Sequence, residues 1–198
     1  MRAVREAVGA EAATTRRRGC LVALAGLPGS GKSHLAHALQ SATGAIVLRT
    51  DEVRRVLFPT PTYSPEESGV VYLTCFATIR ALLHDTYAVV FDGTNGRRSG
   101  RRLLASIARI ERSDYVSVLV HAAPELVRER IARRAAGMAP AFGSEAGVAI
   151  YEKMAATEDY GGRFDLLVDA GADIGPAVDR LVAVVDGHLR AGGEGSDA

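Results

Sequence analysis

The sequence predicts an α/β protein built on an open parallel β-sheet with helices on both faces. Five short apolar runs, most of them rich in β-branched residues, recur along the 198-residue chain. Each run is continuously apolar rather than alternating, which is typical of strands that are buried on both faces. The segments between the runs are mostly long enough for the crossover helices that parallel strands require.

The elements follow in order along the chain. The predicted strands are Leu21–Ala25, Ala45–Leu48, Ala88–Phe91, Tyr115–Val120 and Leu166–Val168. A helical pattern over His34–Gln40 follows the first strand. Ser64 precedes Pro65 and stands three residues before Glu67, a capping pattern that predicts a helix running to about Asp85. Pro124 likewise opens a predicted helix over Glu125–Ala135.

The composition excludes several classes of protein. The chain is 47% hydrophobic and 24% charged, which excludes wholesale disorder, collagen and a disulfide scaffold. The net charge of +1 gives no overall attraction to a polyanion, so a nucleic acid would need a local basic patch. Cys20 and Cys75 fit neither a zinc pattern nor a redox pair, and we expect buried thiols in a reducing, cytoplasmic compartment. No apolar run is long enough to predict a membrane span.

The length suits one domain. We expect that domain over residues 19–190, with a lid at about 136–147, where glycine, alanine and proline occur without periodicity. The arginine- and alanine-rich residues 1–18 predict a mobile leader, and the composition of residues 191–198 predicts a disordered tail.

One motif carries most of the functional signal. A strand-like run leads into the pattern G-x-x-x-x-G-K-[ST], and a helical pattern beginning at His34 follows it. In such a loop glycines let backbone N–H groups surround a phosphate, the lysine supplies a compact charge and the hydroxyl reaches Mg²⁺. A glycine-rich turn that binds nothing is the weaker alternative. The predicted nucleotide-binding residues are Gly26, Leu27, Pro28, Gly29, Ser30, Gly31, Lys32, Ser33 and His34.

Lysine usage supports this interpretation. Of the 24 basic residues, all but Lys32 and Lys153 are arginine. The loop therefore keeps a lysine where a point charge on a flexible stem suits a phosphate better than a planar guanidinium.

Ionisable residues follow the predicted strands at the edge where ligands bind in open parallel sheets. Asp51 follows the second strand, where a carboxylate would accept a proton from an attacking hydroxyl; a helix N-cap is the alternative. Asp92 ends the third strand, where we expect it, together with Ser33, to hold Mg²⁺ or to contact substrate; a turn-forming role is the alternative.

Arginines with like-charge spacing are further candidates. Arg130 and Arg134 lie four residues apart just before the predicted lid, so we expect them to clamp phosphate, with a solvated basic face as the competitor. The pairs Arg97/Arg101 and Arg98/Arg102 repeat the spacing. There a solvated helix is favoured over contact with an acidic substrate or a nucleic-acid backbone.

Together these motifs resemble the P-loop kinases of the polynucleotide-kinase and zeta-toxin type, to which chloramphenicol phosphotransferase and gluconate kinase are similar. The resemblance covers about residues 19–185. It rests on GLPGSGKS, then Arg49-Thr50-Asp51-x-x-Arg54, then Phe91-Asp92-Gly93-Thr94-Asn95, then Ala123-Pro124-Glu125 leading into Arg130-x-x-x-Arg134. The chain departs from the pattern at His34, at Gly93 and in a predicted lid that lacks the charged residues expected of a strongly phosphate-binding lid.

The resemblance implies an ATP- and Mg²⁺-dependent kinase with a five-stranded sheet of order 2-3-1-4-5. It implies that Asp51 is the base that activates the acceptor hydroxyl and that Arg54 contacts an acidic group of the acceptor. It further places the Asp92–Asn95 segment, with Thr94, at the acceptor site. The matching lid arginines, Arg130 and Arg134, would touch the nucleotide and the transferring phosphate.

The predicted function is transfer of the γ-phosphoryl group of ATP to a hydroxyl of a small molecule or a polynucleotide 5′ end. A nucleotide-sensing or assembly ATPase without a small acceptor is one alternative, and a nucleic-acid-binding ATPase using residues 97–102 is another. A GTPase switch is disfavoured, because the sequence lacks an N-K-x-D motif and has Asn95 where D-x-x-G requires glycine. Acceptor identity and oligomeric state lie beyond what the motifs predict.

Overall fold

The computed structural model describes residues 2–10, 13, 15–138, 147–157 and 160–187. Its centre is a five-stranded, all-parallel sheet with the order β2-β3-β1-β4-β5, which confirms the predicted fold class and strand order. Each predicted strand lies within one residue of the observed bounds. The strands are β1 (Cys20–Ala25), β2 (Ile46–Arg49), β3 (Ala88–Asp92), β4 (Asp114–His121) and β5 (Leu166–Asp169).

Helices connect the strands and cover the sheet. They are α1 (Arg2–Ala7), α2 (Lys32–Thr43), α3 (Thr50–Leu57), α4 (Pro65–His84), α5 (Arg98–Ile110), α6 (Pro124–Ala135), α7 (Val148–Thr157) and α8 (Gly175–Val185). The predicted cap of α4 is confirmed: Ser64 Oγ accepts a hydrogen bond from the Glu67 N–H at 3.1 Å, and the helix ends at His84.

The sheet separates two apolar layers, which explains why its strands are continuously apolar. Alternate residues of β1 point to opposite faces: Leu21 and Ala23 pack with α4 and α5, whereas Val22 and Leu24 pack with α2 and α8. Phe91 of β3 is fully buried in the first layer. Because both faces are covered, we expect a ligand to bind at the carboxyl ends of the strands, as in other open α/β sheets.

The segment expected to be a mobile leader includes a short helix and contacts with the rest of the domain. Residues 2–7 form a short helix, and Val4 and Ala10 are 2% and 1% exposed within the first apolar layer. Further along, Arg16 donates to the Thr43 carbonyl at 2.6 Å and pairs with Asp186 at 2.7 Å. The predicted mobility of the leader stays a prediction. Its packing was not anticipated, because two small apolar side chains among arginines and alanines produce almost no periodic signal.

The remaining sequence predictions fall partly outside the described residues. Most of the expected lid (139–146) and the expected tail (191–198) lie there. Cys20 and Cys75 are buried free thiols, and burial raises the pKa of each to about 12, which confirms that they pack as small apolar side chains. Within the described part of the chain, no helix has the length and apolarity needed to cross a bilayer.

Candidate active site

The glycine-rich loop lies between β1 and α2, wedged against the ends of two neighbouring strands. Gly26 has a φ of 144°, and a Cβ there would overlap the carbonyl oxygen of Val120 in β4. Gly31 has a φ of 110°, and a Cβ would lie 2.7 Å from the Cβ of Ala170, just after β5. Both positions therefore require glycine for conformation and for space. A larger residue at either position would have to displace the Val120 carbonyl or Ala170.

Lys32 begins α2 and directs its ammonium back into the loop. Its Nζ donates to the carbonyl oxygens of Gly26 at 2.9 Å and Leu27 at 2.8 Å. Burial lowers the pKa of Lys32; the carboxylates of Asp92 and Asp51 act in the opposite direction, and the Arg134 charge lowers it further. The structure thus brings Asp51, Asp92 and Arg134 within electrostatic reach of Lys32.

Ser33 and Asp92 form the second pair at the loop. Ser33 Oγ donates to Asp92 Oδ2 at 2.7 Å, and Asp92 lies opposite Leu24 in the register of β3 with β1. A hydroxyl and a carboxylate oxygen are suitable ligands for Mg²⁺. No group of three or more His, Cys, Asp or Glu side chains suited to a metal occurs among the described residues. An ion bound by Ser33 and Asp92 would therefore keep water and phosphate oxygens in its shell, as Mg²⁺ usually does.

His34 occupies the first turn of α2 beside these residues. Its side chain is exposed, and its backbone N–H donates to the Gly31 carbonyl at 3.1 Å. Its predicted contact with a nucleotide stays a prediction.

Asp51 is the second residue of α3, immediately beyond the carboxyl end of β2. The N-cap of α3 is Arg49, and no side chain caps this end, so the alternative that Asp51 is the cap residue is wrong. The Asp51 carboxylate instead acts electrostatically on Lys32 and Arg134. The structure therefore places Asp51 at the loop, where the sequence expects a base.

The two arginines of α6 lie at the same edge but make different contacts. Arg130 Nη2 donates to the Ala170 carbonyl at 2.6 Å, and its Nη1 donates to the Ser30 carbonyl at 3.4 Å, so it ties the loop to the end of β5. Burial lowers the pKa of Arg134, and Asp51 opposes that shift. Arg130 therefore supports the loop, whereas Arg134 faces the charged cluster.

Arg54, which the resemblance assigns to the acceptor, lies in a buried ion pair. Its Nη1 donates to Glu67 Oε1, its Nη2 donates to Ser68 Oγ at 3.2 Å, and its guanidinium stacks 4.6 Å from the centre of the Tyr63 ring. Burial would raise the pKa of Glu67, but hydrogen bonds from Thr62 and Arg54 outweigh it and lower that pKa to about 2. Arg54 is thus paired with a carboxylate of the protein itself, and its predicted contact with the acceptor stays a prediction.

Thr94 and Asn95 hold the loop from beneath. The Gly26 N–H donates to the Thr94 carbonyl at 3.1 Å, and Thr94 Oγ1 lies 3.0 Å from the Tyr72 hydroxyl. Asn95 is buried, and its Nδ2 donates to the Leu24 carbonyl at 2.6 Å. Both residues therefore support the site, and a direct acceptor contact by either stays a prediction.

Arg101 corrects the expectation of a solvated helix over residues 97–102. It is 8% exposed, and its guanidinium donates to three carbonyl oxygens: Asn95 at 2.9 Å, Gly96 at 2.7 Å and Gly161 at 2.6 Å. Arg97, Arg98 and Arg102 are exposed, as the expectation required. Arg101 is therefore a brace between the β3–α5 turn and the segment before β5.

Sequence reasoning missed two residues of this edge. Arg49 lies with its Nε 3.6 Å from Asp92 Oδ2, and Glu67 neutralises Arg54. The only signal for Glu67 was its place in the cap of α4. Arg49 had its position at a strand end and its place in the motif Arg49-Thr50-Asp51-x-x-Arg54, but neither signal assigned it a partner.

The strand order, the loop after β1 and the carboxylates beyond β2 and β3 define a P-loop protein with the fold of the small kinases. The chain belongs to the AAA domain family, whose model matches residues 21–156.

The curated relatives are longer proteins. Over 172 residues the chain is 30% identical to uncharacterised proteins of Mycobacterium tuberculosis (Rv2004c) and Mycobacterium bovis (Mb2027c). The match covers 79% of this chain and 34% of each relative, so the chain spans about a third of the length of the curated relatives it matches.

Solved structures share the fold over nearly their whole length. An APS kinase of Mycobacterium tuberculosis in complex with AMPPNP and APS is similar with a TM-score of 0.64 at 18% identity, covering 86% of this chain and 99% of that one. A gluconokinase of Sinorhizobium meliloti gives 0.58 at 21%, covering 86% and 93%. Kti12 of Chaetomium thermophilum with ADP-AlF3 gives 0.62 at 20%, covering 82% and 94%.

Proposed function

We propose that this protein is an ATP-dependent kinase that transfers the γ-phosphoryl group to a hydroxyl of a small molecule or a polynucleotide end. One observation carries the proposal: Asp51 is within electrostatic reach of Lys32 and Arg134, and it is a different carboxylate from Asp92, which accepts the Ser33 hydroxyl. A phosphate cradle alone suits any nucleotide-binding protein. Transfer to a hydroxyl also requires a group that accepts the hydroxyl proton, and a carboxylate separate from the Ser33–Asp92 pair can be that group.

The loop binds the phosphates through its backbone. Its N–H groups and the start of α2 would face the phosphate oxygens, and Lys32 would exchange its carbonyl contacts for the β- and γ-phosphates. Ser33 and Asp92 would hold Mg²⁺, which neutralises phosphate charge when bound. Arg134 would add positive charge beside the transferred group.

Asp51 takes the proton in the transfer step. As the acceptor oxygen bonds to the γ-phosphorus, the hydroxyl proton passes to the Asp51 carboxylate. The bond between that phosphorus and the bridging oxygen breaks, and ADP leaves with the electron pair.

The comparisons support this at the level of fold and ligand type. The similar APS kinase was solved with AMPPNP and APS, and Kti12 with ADP-AlF3, so the same fold holds adenine nucleotides. The acceptor would be found by measuring ADP release across polynucleotide 5′ ends, sugar acids, nucleosides and hydroxyl-bearing antibiotics.

Asp51→Asn tests the assignment. The variant should bind ATP normally but transfer phosphate about 10²–10⁴-fold more slowly, because an amide cannot accept the proton. Asp179→Asn is the matched control, because Asp179 is exposed on α8. Near-normal transfer by Asp51→Asn would refute the role of Asp51.

Lys32→Ala should abolish turnover. ATP hydrolysis whose rate does not change with any hydroxyl acceptor would favour a nucleotide-sensing ATPase.

A further inference from the structure

Arg49 lies between two carboxylates at the carboxyl edge of the sheet. It is the last residue of β2 and stands opposite Asp92 in the register of β2 with β3. Its Nη1 donates to Glu52 Oε1 at 2.8 Å, and its Nε lies 3.6 Å from Asp92 Oδ2. The side chain is only 16% exposed, and Nε is buried without a hydrogen-bond acceptor. A buried donor without an acceptor destabilises the fold, so this placement of Arg49 has a cost.

The two carboxylates belong to different parts of the site. Asp92 Oδ2 also accepts the Ser33 hydroxyl at 2.7 Å, so one oxygen lies between a hydroxyl of α2 and the guanidinium of Arg49. Glu52 directly follows Asp51 in the first turn of α3. The Arg49 side chain therefore links the Ser33–Asp92 pair to the turn of α3 that carries Asp51.

We propose that Arg49 is a positioning residue that fixes the first turn of α3 relative to Asp92. The proposal rests on the proposed function, because it assigns Arg49 to the alignment of Asp51 with the phosphate site. A planar guanidinium presents N–H groups in two directions and reaches both carboxylates, whereas a lysine ammonium on a flexible stem would not hold both in one geometry.

The same placement has an electrostatic consequence. A fixed positive charge beside Asp92 competes with a divalent cation for that carboxylate. Arg49 therefore weakens Mg²⁺ binding while it aligns Asp51. The two effects separate in different variants, because Glu52→Gln weakens the link to α3 but leaves the arginine charge beside Asp92, whereas Arg49→Gln removes both.

The test compares Arg49→Gln, Arg49→Lys and Glu52→Gln, with Arg109→Gln as a control on an exposed arginine at the end of α5. The first measurement is calorimetric binding of AMPPNP over a Mg²⁺ titration. Arg49→Gln should bind Mg²⁺ several-fold tighter, and Arg49→Lys and Glu52→Gln should match the wild type. Unchanged or weaker Mg²⁺ binding by Arg49→Gln would overturn the proposal.

The second measurement is kcat for phosphoryl transfer. All three variants should lose about tenfold or more with little change in KM for ATP, and the Arg49→Gln/Glu52→Gln double variant should lose no more than the worse single one. Full activity of Arg49→Lys, or a loss of kcat in the double variant equal to the combined losses of the single variants, would overturn the proposed positioning role of Arg49. If the wild type transfers phosphate to no acceptor, the proposed function fails, whereas the Mg²⁺ titration still decides the charge effect. Thermal unfolding of each variant identifies loss of fold, and Glu52→Gln keeps the test decisive if Arg49→Gln does not fold.

Discussion

Replacing Arg101 by lysine should destabilise the protein strongly, although the charge is kept. The guanidinium donates to the carbonyls of Asn95, Gly96 and Gly161 and lies 4.9 Å from the centre of the Phe164 ring. A lysine ammonium would reach the paired carbonyls of the β3–α5 turn or the Gly161 carbonyl but not both. One or two carbonyls would lose their donor. At about 2 kcal/mol each, the middle of the usual range, we expect a loss of about 2–4 kcal/mol.

Chemical denaturation measures this loss, and thermal unfolding should show a midpoint roughly 5–15 °C lower. Arg102→Lys is the matched control, because Arg102 is the next residue of α5 and is exposed; it should change stability by less than about 0.5 kcal/mol. If the two variants unfold alike, the brace assigned to Arg101 is wrong.

Two further predictions concern the loop and acid stability. Gly26→Ala should abolish nucleotide binding, because the added Cβ meets the Val120 carbonyl, whereas Gly69→Ala, which meets nothing within 4 Å on α4, should leave binding intact; calorimetry with AMPPNP distinguishes them. Because the pKa of Glu67 falls from 4.5 to about 2 on folding, the stability it contributes is present above about pH 4.5 and is lost as the pH falls toward 2. Denaturation series across that range should show a shallower decline for Glu67→Gln, and an unchanged slope would contradict the assignment.

Much of the fold followed from local pattern. The strands were predictable because burial on both faces makes them continuously apolar, and the loop was predictable because its backbone shape demands glycine at fixed positions. The pairing of Ser33 with Asp92 also followed from a general rule, since adjacent parallel strands end at the same edge. These features depend on short stretches of sequence or on topology alone.

The hydrogen-bond and ion-pair partners of the arginines could not be predicted from the sequence. Arg54 pairs with Glu67, 13 residues away, and Arg101 donates to Gly161, 60 residues away. Arg130 donates to Ser30, 100 residues away. Spacing within a helix predicts only neighbours three or four positions apart, so it did not predict these distant partners of the arginines.

This use of arginine changes what the site predicts about the acceptor. The resemblance to P-loop kinases gave Arg54 an acidic group of the acceptor as its partner, but Glu67 fills that position, and hydrogen bonds from Thr62 fix the carboxylate there. An acidic acceptor approaching Arg54 would have to displace a buried carboxylate of the protein or accept repulsion from it. Neutral hydroxyl compounds therefore deserve equal weight with sugar acids and polynucleotide ends in the acceptor search. If Arg54 does not select the acceptor, turnover will not depend on an acidic group of the acceptor. An acidic acceptor and its neutral analogue will then be phosphorylated at comparable rates.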